Sequence, residues 1–157
     1  MNQTRVGLGF DAHRFGGTPP LLLAGITIDP KRGLEATSDG DVAAHAIADA
    51  LLGTADLGDL GTHFPSDDPR WRDADSMLML DTVVKLVRAR GFWVNNVDLT
   101  IVAQEVRIGP HRLAIKSALA EVLETDAVSV KATSTDHLGF TGRGEGIAAL
   151  AVATVTI

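Results

Sequence analysis

The chain has 157 residues, 14 Lys and Arg against 20 Asp and Glu, a formal charge of -6 and no cysteine. That length suits a single domain over residues 1–157, because domains most often run to about 100–150 residues. The missing cysteines exclude disulfides and thiolate metal sites, so a metal would have to be held by His and carboxylates, and the acidic balance argues against general nucleic-acid binding, which needs basic patches.

No stretch approaches the about 18 apolar residues of a membrane span. The opening MNQTRVGLGFDAHRF has no long apolar run before a small-residue cleavage site, so no signal peptide is expected. The expectation is a soluble, cytoplasmic protein without nucleic-acid or membrane partners.

In chain order, Thr4–Phe10 reads as a strand leading into Asp11-Ala12-His13. Leu21–Ile28 reads as a second strand, set off by Pro19-Pro20 and Asp29-Pro30. Ser38 is expected to cap a helix running to about Gly53, with Asp41 completing a variant capping box. The helix carries Ala43, Ala44, Ala46, Ala48 and Ala50, which suit close packing. A Gly- and Asp-rich loop follows over 56–75, then a helix over Ser76–Arg90 stopped by Gly91. Val97–Ala103 is a strand, and Pro110 opens a helix to about Glu124. Val128–Thr133 is a short strand, 134–146 a loop, and Ile147–Ile157 an apolar strand. The order ββααβαββ predicts an α/β sandwich (α+β): a mixed sheet with helices packed on one face. The last strand is apolar on both faces, with Ile147, Ala149, Ala151 and Ala153 on one and Ala148, Leu150, Val152 and mostly Val155 on the other. Either a second subunit covers its outer face or it is a central strand covered within one subunit.

Asp11 and His13 lie two apart at a strand end and so share a face. His45 follows near the start of a helix. An Asp, His, His set leaves an open fourth position on a tetrahedral ion, the catalytic pattern; Asp-x-His alone is a weak signal, since a lone His is more often a packed or surface residue. Asp41, His45 and Asp49 step by four along one helical face. A carboxylate one turn away could accept the second N–H of His45 and orient it; a solvated polar stripe is the plainer alternative. The run from Thr141 to Gly146 alternates Gly with polar residues. It suits backbone contact with a phosphate, although on this loop alone a turn is the simpler reading. Thr133, Ser134, Thr135 and Asp136 directly after a strand suit phosphate and Mg²⁺ binding, or form a polar turn. The loop from Gly58 to Pro69 suits substrate hydroxyls, or capping chemistry.

Five blocks in order then meet a known pattern: Gly9 to Phe15, Ser38 to Val42 with His45, Asp49 to Gly53, Leu57 to Gly61, and Gly139 to Gly146. Together they closely resemble the 2-C-methyl-D-erythritol 2,4-cyclodiphosphate synthase family over nearly the whole chain. The length resembles that of the stand-alone enzyme. The resemblance implies a metal-dependent phosphorus–oxygen lyase of the non-mevalonate isoprenoid route, a homotrimer with sites at subunit interfaces. It implies 4-diphosphocytidyl-2-C-methyl-D-erythritol 2-phosphate as substrate and CMP as leaving group. By resemblance Asp11, His13 and His45 match ligands of one Zn²⁺ per subunit, and Asp136 matches the acidic position for a second ion, Mg²⁺ or Mn²⁺.

The same resemblance assigns substrate contacts. Asp11, His13, Thr37 and Ser38 match positions around the diphosphate. Asp59, Leu60 and Gly61, with Phe64, Pro65, Ser66, Asp67 and Asp68, match the erythritol side. Ala103, Arg107, Ile108, Gly109, Thr133, Ser134, Thr135 and Asp136 match the cytidine and phosphate pocket. Thr37 and Ser134 fall at catalytic positions. Phe140, Arg143 and Glu145 match an axial cavity that takes an isoprenoid diphosphate. Three departures stand out: Thr37 replaces the family's usual His, Ser134 and Asp136 stand where Thr and Glu are usual, and Ser66 replaces an Asp. A Zn²⁺ phosphohydrolase, or a metal- or diphosphate-binding module without turnover, is the alternative.

Overall fold

The computed structural model describes residues 3–157. Four strands form the main sheet in the order β1-β6-β4-β5: β1 (Thr4–Arg14), β4 (Trp93–Val102), β5 (Val128–Thr133) and β6 (Gly146–Thr156). β6 runs antiparallel to both β1 and β4, while β4 and β5 are parallel. A two-stranded hairpin, β2 (Leu21–Leu23) and β3 (Ile26–Asp29), stands apart. The helices are α1 (Val42–Thr54), α2 (Leu60–His63), α3 (Ser76–Ala89), α4 (Arg112–Leu123) and the single turn α5 (Gly139–Gly142). The architecture is the expected mixed α/β one.

Several boundaries differ from the sequence reading, each for a local reason. Leu21–Ile28 is two strands, because Ala24 and Gly25 both take positive φ, 50° and 71°. Two such residues make the tight turn that right-twisted hairpin strands prefer. α1 is capped by Asp41, whose carboxylate accepts the Ala44 N–H at 3.1 Å. Ser38 cannot cap it, since Gly40 at φ 76° breaks the helical path between them. β1 continues through Asp11 and His13 to Arg14 because β6 pairs with it along that whole length. β4 begins at Trp93, four residues before the expected start. Pro110 lies in a 3-10 turn (Gly109–His111) ahead of α4.

The core lies between one sheet face and the helices. From the sheet come Val97, Leu99, Ile101, Val128, Val130, Ile147, Ala149, Ala151, Ala153 and Val155, all buried. Val155 thus belongs to the Ile147 row. From α1 come Ile47, Leu51 and Leu52, and from α3 Leu80, Val83 and Val87. Each large side chain fully buried here contributes about 1.5–3 kcal/mol. The opposite sheet face is apolar and open: Val6 is 67% and Leu8 69% exposed, beside Phe10, Leu150 and Val152. β6 is an interior strand of the sheet, yet this chain covers only one of its faces.

Candidate metal centre and substrate cleft

Positions 7, 9, 11 and 13 of β1 pair with Ala153, Ala151, Ala149 and Ile147, all on the helix-covered face. A Cβ on Gly7 would lie 2.0 Å from the Ala50 carbonyl oxygen, and one on Gly9 1.8 Å from that of Ala46. Only glycine permits α1 to lie so close. Two strand residues advance about 6.6 Å and four helical residues about 6 Å, so strand and antiparallel helix keep step. The next two inward positions therefore carry Asp11 and His13 to the start of α1, where His45 sits.

Asp11 Oδ2 lies 3.0 Å from His13 Nε2 and 2.9 Å from His45 Nδ1, and the two ring nitrogens are 3.4 Å apart. One carboxylate and two imidazoles, with donor atoms within 4.8 Å of one another, fit a divalent metal ion. Burial pulls the Asp11 carboxyl upward, but hydrogen bonds from His13 and His45 outweigh it and hold it at about 2. Burial opposes charge on His13, and the Asp11 carboxylate overcomes it, raising His13 above the ordinary imidazole value.

The second nitrogen of His45 is oriented differently from the sequence expectation. Asp41 spends its carboxylate on the Ala44 and Gly25 N–H groups, and Asp49 accepts the Leu60 N–H at 2.7 Å. Neither reaches His45 because both are drawn to unpaired backbone donors, in the first turns of α1 and α2 and in the β2–β3 turn at Gly25. Instead His45 Nε2 lies 2.8 Å from Ser76 Oγ and 3.2 Å from Ser38 Oγ. Ser76 is hydrogen-bonded in turn to Asp39.

A cleft of about 230 Å³ opens over the triad, lined by Ala36, Thr37, Ser38, Leu60, Gly61, Phe64, Ser66, Trp71 and Met79. Ala36, Trp71 and Met79 are walls the sequence did not single out. Trp71 packs edge-on against Phe64 with centroids 4.8 Å apart. Asp67 and Asp68 line an adjoining hollow shared with Thr37 and Ser66, and Pro65 joins that segment to Phe64. Asp59 caps α2, its Oδ1 accepting the Thr62 N–H and hydroxyl. The structure does not bring the other expected residues into this cleft. Ala103, Arg107, Ile108 and Gly109 follow β4, while Thr133, Ser134, Thr135 and Asp136 end β5, with Ala103 N–H donating to Thr133 O at 2.9 Å. The ends of β1, β4 and β5 share one end of the sheet, but β1 and β5 are opposite edges, about 14 Å apart at three interstrand spacings. Phe140 and Glu145 line a hollow with Ala12, His13 and Arg14, and Arg143 pairs with Glu145 at 2.9 Å.

A twisted α/β sheet with a carboxylate–imidazole triad at the floor of a small cleft defines a candidate metal-site enzyme. The YgbB family model matches residues 4–156, and the chain belongs to that family. A 2-C-methyl-D-erythritol 2,4-cyclodiphosphate synthase of Vibrio cholerae is 51% identical over 150 residues, covering 94% of this chain and 95% of the relative. The bifunctional enzyme IspD/IspF of Erythrobacter litoralis is 54% identical over 153 residues, 96% of this chain, which spans 40% of that protein. A solved structure of 2C-methyl-D-erythritol-2,4-cyclodiphosphate synthase, in a form bound to CDP, superposes with a TM-score of 0.87 at 35% identity, covering 96% of this chain and 99% of that one.

Proposed function

We propose that this chain converts 4-diphosphocytidyl-2-C-methyl-D-erythritol 2-phosphate to 2-C-methyl-D-erythritol 2,4-cyclodiphosphate, releasing CMP, in isoprenoid biosynthesis. The observation that carries it is the convergence of Asp11, His13 and His45 beneath a cleft walled by Thr37–Ser38 and Leu60–Gly61, in a chain homologous over its length to enzymes named for that product. Zn²⁺ held by Asp11, His13 and His45, and Mg²⁺ or Mn²⁺ at Asp136, would supply charge neutralisation and phosphoryl polarisation.

The chain's own residues supply the positioning. The 2-phosphate oxygen attacks the β-phosphorus, the bond to the CMP oxygen breaks, and CMP leaves with that electron pair. Nucleophile and electrophile belong to one molecule, so holding it folded can contribute about 7–11 kcal/mol. Thr37 and Ser38 offer hydroxyls to the diphosphate, and Leu60–Gly61 backbone the erythritol hydroxyls. Phe64 and Trp71 keep water from the attacked phosphorus. The cytidine and α-phosphate would meet Ala103, Arg107, Ile108, Gly109 and Thr133–Asp136. With those residues on the far sheet edge, a trimer whose open apolar faces meet on a threefold axis would bring one subunit's β5 end to the next subunit's cleft. The test is incubation of the protein with the cytidylated substrate and Mg²⁺, following CMP and the cyclic product. His45→Ala should abolish both. Release of free phosphate, or binding without CMP, would overturn the reading.

A further inference from the structure

Ser76 is the first residue of α3 and 1% exposed, and its hydroxyl faces two partners. Asp39 lies on one side, accepting the Ser76 N–H on Oδ2 at 3.0 Å and meeting the Ser76 hydroxyl with Oδ1. His45 Nε2 lies on the other at 2.8 Å. A serine hydroxyl has one proton, and an ionised carboxylate only accepts. The Ser76 proton is therefore committed to Asp39, and the oxygen of Ser76 faces His45 with its lone pairs. His45 must donate from Nε2, so Nδ1, which faces Asp11 at 2.9 Å, is the nitrogen that would give up its hydrogen bond to Asp11 and take a metal, the proton leaving as the ion binds.

The relay is rigidly held. The Asp39 N–H donates to Ala74 O at 3.1 Å, and the Asp73 N–H donates to Thr37 O at 2.8 Å, which fastens the segment before α1 to the segment before α3. Asp39 also accepts the Asp41 N–H at 3.2 Å. Its charge sits at the positive end of the 14-residue α3, where an anion is stabilised. Ser38 Oγ, 3.2 Å from Nε2, adds a second acceptor on the same side. We propose that Asp39 and Ser76 are positioning residues that hold the His45 proton on Nε2 and so present Nδ1 to the metal. Partners of this kind orient a ligand and raise its basicity, and their loss typically costs 10–100-fold in metal affinity.

This inference rests on the metal reading of Asp11, His13 and His45, and the experiment separates the two. Purified protein is freed of metal, titrated with Zn²⁺ against a competing chelator, and then observed in its Zn²⁺-loaded form by long-range ¹H–¹⁵N NMR of the imidazoles. The wild type should carry the His45 proton on Nε2. Ser76→Ala and Asp39→Asn should weaken Zn²⁺ binding about 10–100-fold, and Ser76→Thr, which keeps the hydroxyl, should restore most of it. A wild type with zinc on Nε2 and the proton on Nδ1 overturns the relay whether or not the variants fold. So do folded variants, judged by circular dichroism, that bind Zn²⁺ within about twofold of wild type. No Zn²⁺ binding by wild type overturns the metal reading itself.

Discussion

Thr37 lies on the cleft wall above the triad, at a position where the family resemblance implies a His. A threonine hydroxyl can hydrogen-bond but cannot titrate near neutral pH, as an imidazole can. Ser38 and the metal ligands share the same cleft, so turnover should survive with Thr37→Ala changing it only modestly. A transition-state hydrogen bond from a fully preorganised donor is worth about 10²–10³ in rate, and Thr37, whose hydroxyl shares the diphosphate with Ser38, should contribute well below that. Thr37→His should accordingly raise CMP release if the His reaches the diphosphate. Abolished turnover in Thr37→Ala, with zinc content normal, would show an essential role for the hydroxyl. Asp41 carries a different prediction. Burial pushes its carboxyl up to about 6 against the N–H groups of Ala44, Gly25 and Ala24. The folded chain then binds more protons than the unfolded chain between about pH 4 and 6, so this group's contribution to stability falls as pH rises through that window. Urea unfolding of metal-free wild type and Asp41→Asn at both ends of the window should show the wild type losing ground to Asn as pH rises. Parallel profiles would contradict the assignment.

At the scale of elements, the site depends on how closely β1 and α1 approach. Gly9 is the tightest point, with the Ala46 carbonyl where a Cβ would stand. Backbone on both sides leaves no flexible side chain to yield. Gly9→Ala should therefore destabilise the fold by about 1–3 kcal/mol or more, as overpacking does, and weaken Zn²⁺ binding, because α1 carries His45 away from Asp11. Denaturant midpoints and chelator competition test both. A Gly9→Ala protein of unchanged stability would mean that strand and helix do not pack this way.

For the whole molecule, the decisive surface is the uncovered sheet face. Val6, Leu8 and Phe10 of β1 and Leu150 and Val152 of β6 form an exposed apolar patch of the kind that marks an interface. The proposed trimer should give a light-scattering mass near three times 16.5 kDa. Leu8→Glu should shift it toward the single chain and lower CMP release with it, since each cleft would lack the β5-end residues of a neighbour. A fully active monomer would show that the cleft is complete without a partner.

Legible in the linear order were the features that need only local periodicity or spacing. The i, i+2 placement of Asp11 and His13 on one strand face follows from the pleat alone. The apolar character of both faces of β6 follows from its alternation, although which face is covered does not, and the five spaced blocks carried the family resemblance. Hidden were the choices made between segments distant in sequence. Asp41 and Asp49 have the spacing of His45 orienters, yet nearby backbone N–H groups claim both carboxylates. The partner that does orient His45 comes from Ser76 and Asp39, 31 and 6 residues away in the chain, joined only when α3 docks beside α1. A hydrogen bond is a short-range, directional contact. Spacing can say which side chains share a face, but only the packed chain decides which donor meets which acceptor.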